Sequence, residues 1–257
     1  MEMRKSNVLA RLREGKTALC VKTNLADSRA VEIAALAGFD CIWTCAEHVP
    51  NDLSVIEKQI LAAKAYQTDI IVRVSRGGYS DYIRPLELDA TGIMVPHIMS
   101  AADARNVVHM TRFSPVGLRP VDGGNADGMF CALGFNDYIR QANEQRMLIV
   151  QIEDKEAVDE LEEICSTPGI DMIFFGPADF SQSAGIPGQI HHEKVEKVRR
   201  LVPEMAHKYG KFAGTVGDPS SLGELLAMGY QFVNVGADVV ALTEYYRKIY
   251  NAVCKYR

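Results

Sequence analysis

The chain has 257 residues, of which 47% are hydrophobic and 24% charged, and its formal net charge at pH 7 is −5. This acidic balance argues against a nucleic-acid partner, because proteins that neutralise phosphates carry clustered lysine and arginine. No apolar run approaches the roughly 20 residues that cross a bilayer, and the charged amino terminus, MEMRKSNVLARLREGKTALC, lacks the apolar centre of a signal peptide. We therefore expect a cytoplasmic protein that does not act at a membrane.

Eight short apolar runs alternate with amphipathic helical patterns from one end of the chain to the other. In chain order the predicted strands are ALCVKTN (18–24), CIWTCAE (41–47), IIVRVS (70–75), GIMVPHI (92–98), MLIVQIE (147–153), DMIFFGPA (171–178), KFAGTV (211–216) and FVNVGA (232–237). Eight β/α repeats in about 250 residues are typical of a (β/α)8 TIM barrel. We expect a single α/β barrel domain over residues 1–257.

A doubly wound open sheet is the competing architecture. Such a sheet normally carries a glycine-rich phosphate turn after its first strand, whereas the turn here reads KTNLADSRA and contains no GxGxxG. The barrel is therefore favoured. The last segment, TEYYRKIYNAVCKYR, predicts an aromatic-rich helix that packs either on the barrel or on another subunit.

Polar residues close several of the predicted strands, and the carboxyl ends of the strands are where barrel enzymes place their catalytic groups. They are Lys22, Glu47 with His48, Arg73, Gln151 with Glu153, and Asp179, which follows Gly176-Pro177-Ala178. We expect these side chains to meet at one mouth of the barrel.

Glu153 and Asp179 follow the fifth and sixth predicted strands, which we expect to be neighbours about 4.8 Å apart. Two carboxylates aimed at one point repel each other unless a cation lies between them, and oxygen ligands suit Mg²⁺ or Mn²⁺ better than zinc. The alternative is that both carboxylates cap helices or pair with a base such as Lys155.

The stretch CIWTCAEHVPND (41–52) holds two cysteines and a histidine, a combination that can bind zinc. In a strand that rises about 3.3 Å per residue, Cys41 and Cys45 would stand about 13 Å apart, whereas two thiolates on one zinc ion must lie within about 4 Å. The six cysteines show no paired spacing, so we expect free thiols. His48 remains as a candidate general base, or as a histidine that only hydrogen-bonds a loop.

Several motifs together resemble the HpcH/HpaI aldolase/citrate lyase family, and specifically its metal-dependent class II pyruvate aldolases. That group includes 4-hydroxy-2-oxoheptanedioate aldolase and 2-dehydro-3-deoxyglucarate aldolase. The resemblance runs in register from about residue 15 to about residue 245. The segments that carry it are GFDCIWTCAEHVPND (38–52), IIVRV (70–74), GIMVPHI (92–98), RFSPVGLRPV (112–121), LIVQIEDKEAVDELEEI (148–164), GIDMIFFGPADFSQSAG (169–185) and NVGADVVAL (234–242).

This resemblance implies a reaction in which a 4-hydroxy-2-oxo acid is cleaved to pyruvate and an aldehyde. It implies a divalent cation, Mg²⁺, Mn²⁺ or Co²⁺, on Glu153 and Asp179, with Gln151 next to these ligands. It also implies a barrel whose C-terminal helix is exchanged between paired subunits of a homo-oligomer, commonly a hexamer. The substrates are small molecules.

The family pattern also assigns roles to the other strand-end residues. His48 falls on the catalytic histidine, Glu47 on the acid that orients water, and Arg73 on the arginine that holds the enolate oxygen. Glu87 falls on the acidic partner of that histidine, where the family usually has aspartate. The backbone around Gly176, Pro177 and Ala178 is placed to receive the pyruvate carboxylate, because glycine permits close approach.

The sequence departs from the family at positions that bear on substrate choice. Cys45 stands where relatives usually carry aspartate, and we expect it to pack as a small neutral group. Lys22 stands where they often carry an aromatic residue. We expect a sugar-derived or neutral aldehyde product, with Lys22, Asn125 or Asp127 as contacts to hydroxyl groups.

Three other functions stay open on the sequence alone. Lys22 could form a Schiff base with the keto carbon. The same site could decarboxylate a 2-oxo acid such as oxaloacetate. The chain could also be a non-catalytic barrel that binds a sugar acid.

Overall fold

The computed structural model describes all 257 residues, and its centre is a closed barrel of eight parallel strands in sequence order. The strands are β1 Ala18–Lys22, β2 Cys41–Cys45, β3 Asp69–Arg73, β4 Gly92–Val95, β5 Met147–Ile152, β6 Met172–Phe175, β7 Phe212–Val216 and β8 Phe232–Ala237. The predicted (β/α)8 TIM barrel is confirmed, and all eight strands lie where the sequence placed them. Six of them end one to three residues before their predicted ends, because the last predicted residues already belong to loops or helices.

Helices connect the strands and surround the barrel. They are α1 Asn7–Arg13, α2 Ser28–Leu36, α3 Leu53–Ala65, α4 Tyr79–Glu87, α5 Ala101–Thr111, α6 Phe135–Gln145, α7 Glu156–Asp159, α8 Leu161–Ser166, α9 Pro177–Ser183, α10 Glu193–Lys208, α11 Leu222–Ala227 and α12 Asp238–Val253, before a short 3₁₀ turn, Cys254–Tyr256. None of these helices is both long enough and apolar enough to cross a membrane.

Two apolar cores hold the barrel together. The larger one lies between the strands and the surrounding helices, and a smaller one fills the barrel interior with side chains such as Trp43, Met94 and Phe174. Because side chains of a strand alternate in direction, a step of two residues stays inside the barrel. The residues that face the interior therefore change from apolar to polar along a strand. Ile71 is followed by Arg73 on β3, and Ile149 by Gln151 on β5.

A buried charge cluster connects the amino-terminal segment to the end of the barrel at which the strands begin. Asp89, in the turn before β4, pairs with Arg4 at 3.2 Å, with Lys64 at 2.6 Å and with Arg146. The side chain of Arg146 is only 2% exposed, so Asp89 is the carboxylate that compensates its charge. Asp89 has a left-handed backbone, with φ of 74°, which aspartate and asparagine adopt more readily than most residues.

The C-terminal helix α12 is bonded to the barrel through its first residue, Asp238, but the rest of the helix does not pack on it, since none of its residues is buried. It nevertheless carries a row of large apolar side chains spaced three and four residues apart. The exposed ones include Val240, Tyr245, Tyr246, Ile249, Tyr250 and Val253. Of the two sequence-based alternatives for this helix, packing on its own barrel is therefore wrong.

We expect Asp89→Asn to destabilise the fold strongly, because it leaves the buried Arg146 guanidinium without its carboxylate. Breaking a buried ion pair from one side costs about 3–5 kcal/mol. Asparagine has nearly the same shape as aspartate and tolerates the left-handed backbone. The loss of stability therefore measures the contribution of the negative charge of Asp89. Urea unfolding measures the effect, and Asp137→Asn, which removes an exposed partner of Arg140, is the control that should leave the midpoint unchanged. Equal midpoints for both variants would contradict this role of Asp89.

Candidate active site

The carboxyl ends of the strands bring most of the predicted residues together. Glu47 and His48 follow β2, and Glu47 Oε2 lies 2.9 Å from Arg73 Nε at the end of β3 and 3.5 Å from His48 Nε2. The Arg73 side chain is buried, whereas that of His48 is 55% exposed. The arrangement thus has a fixed positive charge below a solvent-accessible imidazole.

Glu153, the residue directly after β5, is the most buried carboxylate of the group, with its side chain 1% exposed. Both of its oxygens are held: the backbone N–H of His97 donates to Oε1 at 3.0 Å, and the Gln151 amide donates to Oε2. The pKa of Glu153 is raised to about 7, chiefly by burial and also by the negative charge of Asp179, against the opposing effects of the His97 charge, the His97 backbone N–H and the Arg73 charge.

Gly176 is glycine for a geometric reason. A Cβ atom at this position would lie 2.8 Å from Glu153 Oε2 and 2.9 Å from Gln151 Nε2, closer than real Cβ atoms approach. Asp179 lies three residues further on, in the first turn of α9, and is exposed. The absence of a side chain at Gly176 therefore leaves room for the Glu153 carboxylate next to Asp179.

The donor set at Glu153 and Asp179 suits a hard divalent cation. The side chains of both residues provide only oxygen ligands. Their negative charges repel each other, and a cation between them would relieve this repulsion. No cluster of three or more histidine, cysteine, aspartate or glutamate side chains is arranged to hold a metal ion. A cation at this place would therefore take its remaining ligands from water and substrate. Lys155, the alternative partner, lies 3.9 Å from Glu156 instead.

Cys45 occupies the last position of β2, fully buried beside Arg73. Its sulfur accepts from Arg73 Nε and Nη2, both at 3.4 Å, and from the backbone N–H of His48 at 3.4 Å. The Arg73 guanidinium also lies 4.9 Å from the centre of the Trp43 ring. Cys45 thus packs as a small acceptor between the arginine and the loop that carries the histidine.

Lys22 also faces the mouth, from the end of β1. Its Nζ lies 5.2 Å from the centre of the Trp43 ring. Burial lowers the pKa of Lys22, and the neighbouring charge of Arg73 lowers it further. A larger fraction of the amine is thus neutral than in a solvated lysine.

Two predicted residues lie elsewhere. Glu87 ends α4, the helix that returns to the amino end of β4, and burial raises its pKa. It is therefore at the opposite end of the barrel from His48 within one chain, and their pairing stays a prediction that needs two copies. Asp127 is buried and bonded to Arg119 and Tyr138, each at 2.9 Å. The prediction that Asp127 contacts a substrate hydroxyl in its own barrel is wrong, because Asp127 is only 1% exposed and its Oδ2 is bonded to Arg119 and Tyr138.

Sequence reasoning missed His97. It follows β4 and contacts three acidic residues: its Nδ1 lies 2.9 Å from Asp154 Oδ2, its Nε2 lies 3.4 Å from Glu47 Oε1, and its backbone N–H holds Glu153. The available signal was its place as the polar residue near the end of the predicted strand GIMVPHI, to which no role was assigned.

Comparison with known proteins gives matches over most of the chain. Residues 21–244 match the model of the HpcH/HpaI aldolase/citrate lyase family. The chain is 34% identical over 234 residues to a 2-keto-3-deoxy-L-rhamnonate aldolase of Salmonella gallinarum, covering 91% of this chain and 87% of the relative.

Solved structures show the same architecture. An HpcH/HpaI aldolase from Desulfitobacterium hafniense DCB-2 superimposes with a TM-score of 0.90 at 28% identity, covering 95% of each chain. A citrate synthase, SbnG, superimposes with a TM-score of 0.86 at 28% identity, covering 98% of this chain and 97% of the other.

The raised pKa of Glu153 predicts a pH dependence of stability in the absence of metal. The folded protein keeps this proton up to about pH 7, whereas the unfolded chain releases it near the ordinary value of 4.5. The folded state binds more protons in this window, so the free energy of unfolding should fall as pH rises from 4.5 to 7. Glu153→Gln should lose this component, since glutamine does not titrate.

Urea unfolding of both proteins in EDTA, at steps between pH 5 and pH 8, measures this difference. The advantage of Glu153→Gln over the wild type should grow with pH. Glu156→Gln, at a solvent-exposed carboxyl, is the control that should follow the wild type. Parallel curves for wild type and Glu153→Gln would show that Glu153 ionises normally.

Proposed function

The chain belongs to the HpcH/HpaI aldolase/citrate lyase family, and we propose that it is a metal-dependent aldolase that cleaves a 4-hydroxy-2-oxo acid to pyruvate and an aldehyde. The observation that carries this proposal is the buried Glu153 carboxylate beside Asp179 and within electrostatic reach of Arg73. Such a site has the negative charge that a cation needs and a fixed positive charge for an enolate.

Glu153 and Asp179 are the residues that would hold the cation, with Gln151 orienting Glu153 through its amide. Mg²⁺, Mn²⁺ and Co²⁺ are the candidates. When bound, a divalent cation supplies positive charge that polarises the keto group of a 2-oxo acid. The backbone N–H groups of Ala178 and Asp179 lie in the first turn of α9, where helical partners are missing, so they suit the pyruvate carboxylate.

Arg73 stabilises the charge that develops during cleavage. Breaking the C3–C4 bond leaves an electron pair that becomes the enolate of pyruvate, with negative charge on the keto oxygen. The Arg73 guanidinium is held by Glu47, Cys45 and the Trp43 ring before substrate arrives, so little reorganisation is needed when the charge forms.

His48 is the general base for the C4 hydroxyl. Its imidazole is accessible at the mouth, 3.5 Å from Glu47 Oε2. Removal of the hydroxyl proton lets the C4 carbon become the aldehyde carbonyl as the C3–C4 bond breaks. An imidazole can accept this proton at neutral pH, either directly or through a water.

A 2-keto-3-deoxy sugar acid is the substrate class that we propose. The Salmonella gallinarum relative is a 2-keto-3-deoxy-L-rhamnonate aldolase, which acts on such an acid. Lys22 is the residue of this chain placed to contact sugar hydroxyls, since it reaches the mouth beside Trp43.

Lys22 also supports a second candidate, a Schiff-base aldolase. Its lowered pKa makes the amine more nucleophilic near neutral pH, which is what imine formation with a keto carbon requires. The metal mechanism is preferred because Arg73, together with a cation held by the two carboxylates, would account for enolate formation without a covalent step.

We further propose that α12 packs on a second copy of the chain in a homo-oligomer. Its exposed apolar row lacks a partner within one barrel. Exchange of this helix between paired subunits, in dimers or a hexamer of dimers, would bury that row.

Activity tests use 2-keto-3-deoxy sugar acids beside a dicarboxylic 4-hydroxy-2-oxo acid, with pyruvate release coupled to lactate dehydrogenase. We expect the sugar acids to react faster, EDTA to abolish activity, and Mn²⁺, Mg²⁺ or Co²⁺ to restore it. Glu153→Gln should lose at least about 100-fold in kcat, because it removes a metal ligand. Glu156→Gln is the matched control at an exposed glutamate. Equal pyruvate release by wild type and Glu153→Gln would reject the metal site.

Borohydride distinguishes the two aldolase mechanisms. Reduction in the presence of pyruvate should leave the wild-type protein active and its mass unchanged. A mass increase that disappears in Lys22→Met would establish the imine and reject the metal mechanism.

The oligomer is tested by light scattering. Ile249→Glu places a charge within the apolar row of α12 and should shift the protein to smaller species, since an unpaired charge at a buried interface is costly. Lys248→Glu, at the adjacent exposed position, should leave the mass unchanged. A monomeric wild type would contradict the proposal.

A further inference from the structure

We propose that His97 is a positioning residue for the aldolase reaction, which holds Glu47 through its imidazole and Glu153 through its backbone. This inference rests on the proposed function, in which Glu47 adjoins the base and the arginine, and Glu153 binds the cation. His97 lies in the loop after β4, between these two groups.

The imidazole of His97 is fixed between two carboxylates. Its Nδ1 lies 2.9 Å from Asp154 Oδ2, and its Nε2 lies 3.4 Å from Glu47 Oε1. The other oxygen of Glu47, Oε2, contacts Arg73 at 2.9 Å. His97 and Arg73 thus hold opposite oxygens of the same carboxylate, and loss of the imidazole would free Glu47 to rotate away from Arg73.

The backbone of His97 makes the second contact. With φ of 53° it occupies the left-handed region, which is sterically unfavourable for residues that have a Cβ, although histidine, asparagine and aspartate adopt it more often than the others. In this conformation its N–H donates to Glu153 Oε1 at 3.0 Å. Unfavourable backbone conformations persist where surrounding contacts hold them, and they are frequent at functional sites.

A purely structural role accounts poorly for these contacts. The His97 side chain is 37% exposed, so its burial contributes little to the core. All three of its acidic partners belong to the mouth of the barrel or adjoin it. The contacts therefore organise the site rather than the fold.

Four substitutions separate the two roles. His97→Gln can place an amide where Nε2 lies and so keep the contact to Glu47. His97→Asn can keep the contact to Asp154 and tolerates the left-handed backbone, but it is too short for Glu47. His97→Gly keeps only the backbone, and His97→Ala adds the Cβ that penalises it. His109→Gln, at an exposed histidine of α5, is the control.

We expect His97→Asn and His97→Gly to lose about 10- to 100-fold in kcat, the usual cost of removing a partner that orients a reactive group. Their KM should change less, and their melting temperatures should stay near that of the wild type. His97→Gln should recover most of the kcat. If the asparagine and glycine variants keep wild-type kcat, or the glutamine variant is as slow as they are, the Glu47 contact has no positioning role.

Mn²⁺ titration without substrate, followed by electron paramagnetic resonance, tests the backbone contact. His97→Gly should bind Mn²⁺ as the wild type does. His97→Ala should bind about tenfold more weakly, because its Cβ disfavours the left-handed backbone and it lacks the imidazole contacts that hold this backbone in the wild type. Equal Mn²⁺ affinities of His97→Gly and His97→Ala would overturn the proposal that the His97 backbone positions Glu153. A wild type that binds Mn²⁺ but releases no pyruvate would reject the proposed function instead, while the titration would still decide the backbone contact.

Discussion

The burial of the Glu153 carboxylate is the constraint on which the rest of the site depends. A charged group with 1% of its side chain exposed is costly unless its oxygens are bonded and opposite charges are near. The fold meets this cost from three neighbouring strands: the His97 N–H after β4, the Gln151 amide on β5 and the missing side chain of Gly176 after β6. The parallel order of β4, β5 and β6 brings the three together at the carboxyl ends of the strands.

The environment of Arg73 complements that of Glu153. Arg73 has one carboxylate partner, Glu47, while its other contacts are the Cys45 sulfur and the Trp43 ring. A second carboxylate at position 45 would offset more of the guanidinium charge. With a thiol there, Arg73 stays fixed in place and more of its positive charge is directed to the mouth, where the enolate would form. Cys45 thus bears on the electrostatics of the site through its contact with Arg73.

The sequence predicted the architecture and most of the site because both follow from local patterns. Apolar runs marked the eight strands, several of which were followed by polar residues, and parallel strands in a barrel necessarily present those residues at one end. His97 was not predicted as functional, because its role depends on a left-handed backbone and on contacts to Glu47 and Asp154, which are distant along the chain. The buried hydrogen bond between Arg119 and Asp127 could not be predicted either, because the residue type alone does not indicate whether a side chain is buried.

Two features are incomplete within one chain, and both point to the same kind of assembly. The apolar row of α12 has no surface to cover it. Glu87 ends a helix at the amino end of the strands, whereas His48 follows a strand at the carboxyl end, so no rotation of side chains can join them. A second barrel that received α12 would bring new surface to the mouth. The pairing of Glu87 with His48 is therefore a question about the oligomer, while the Glu153, Arg73 and His97 contacts are complete in the single barrel.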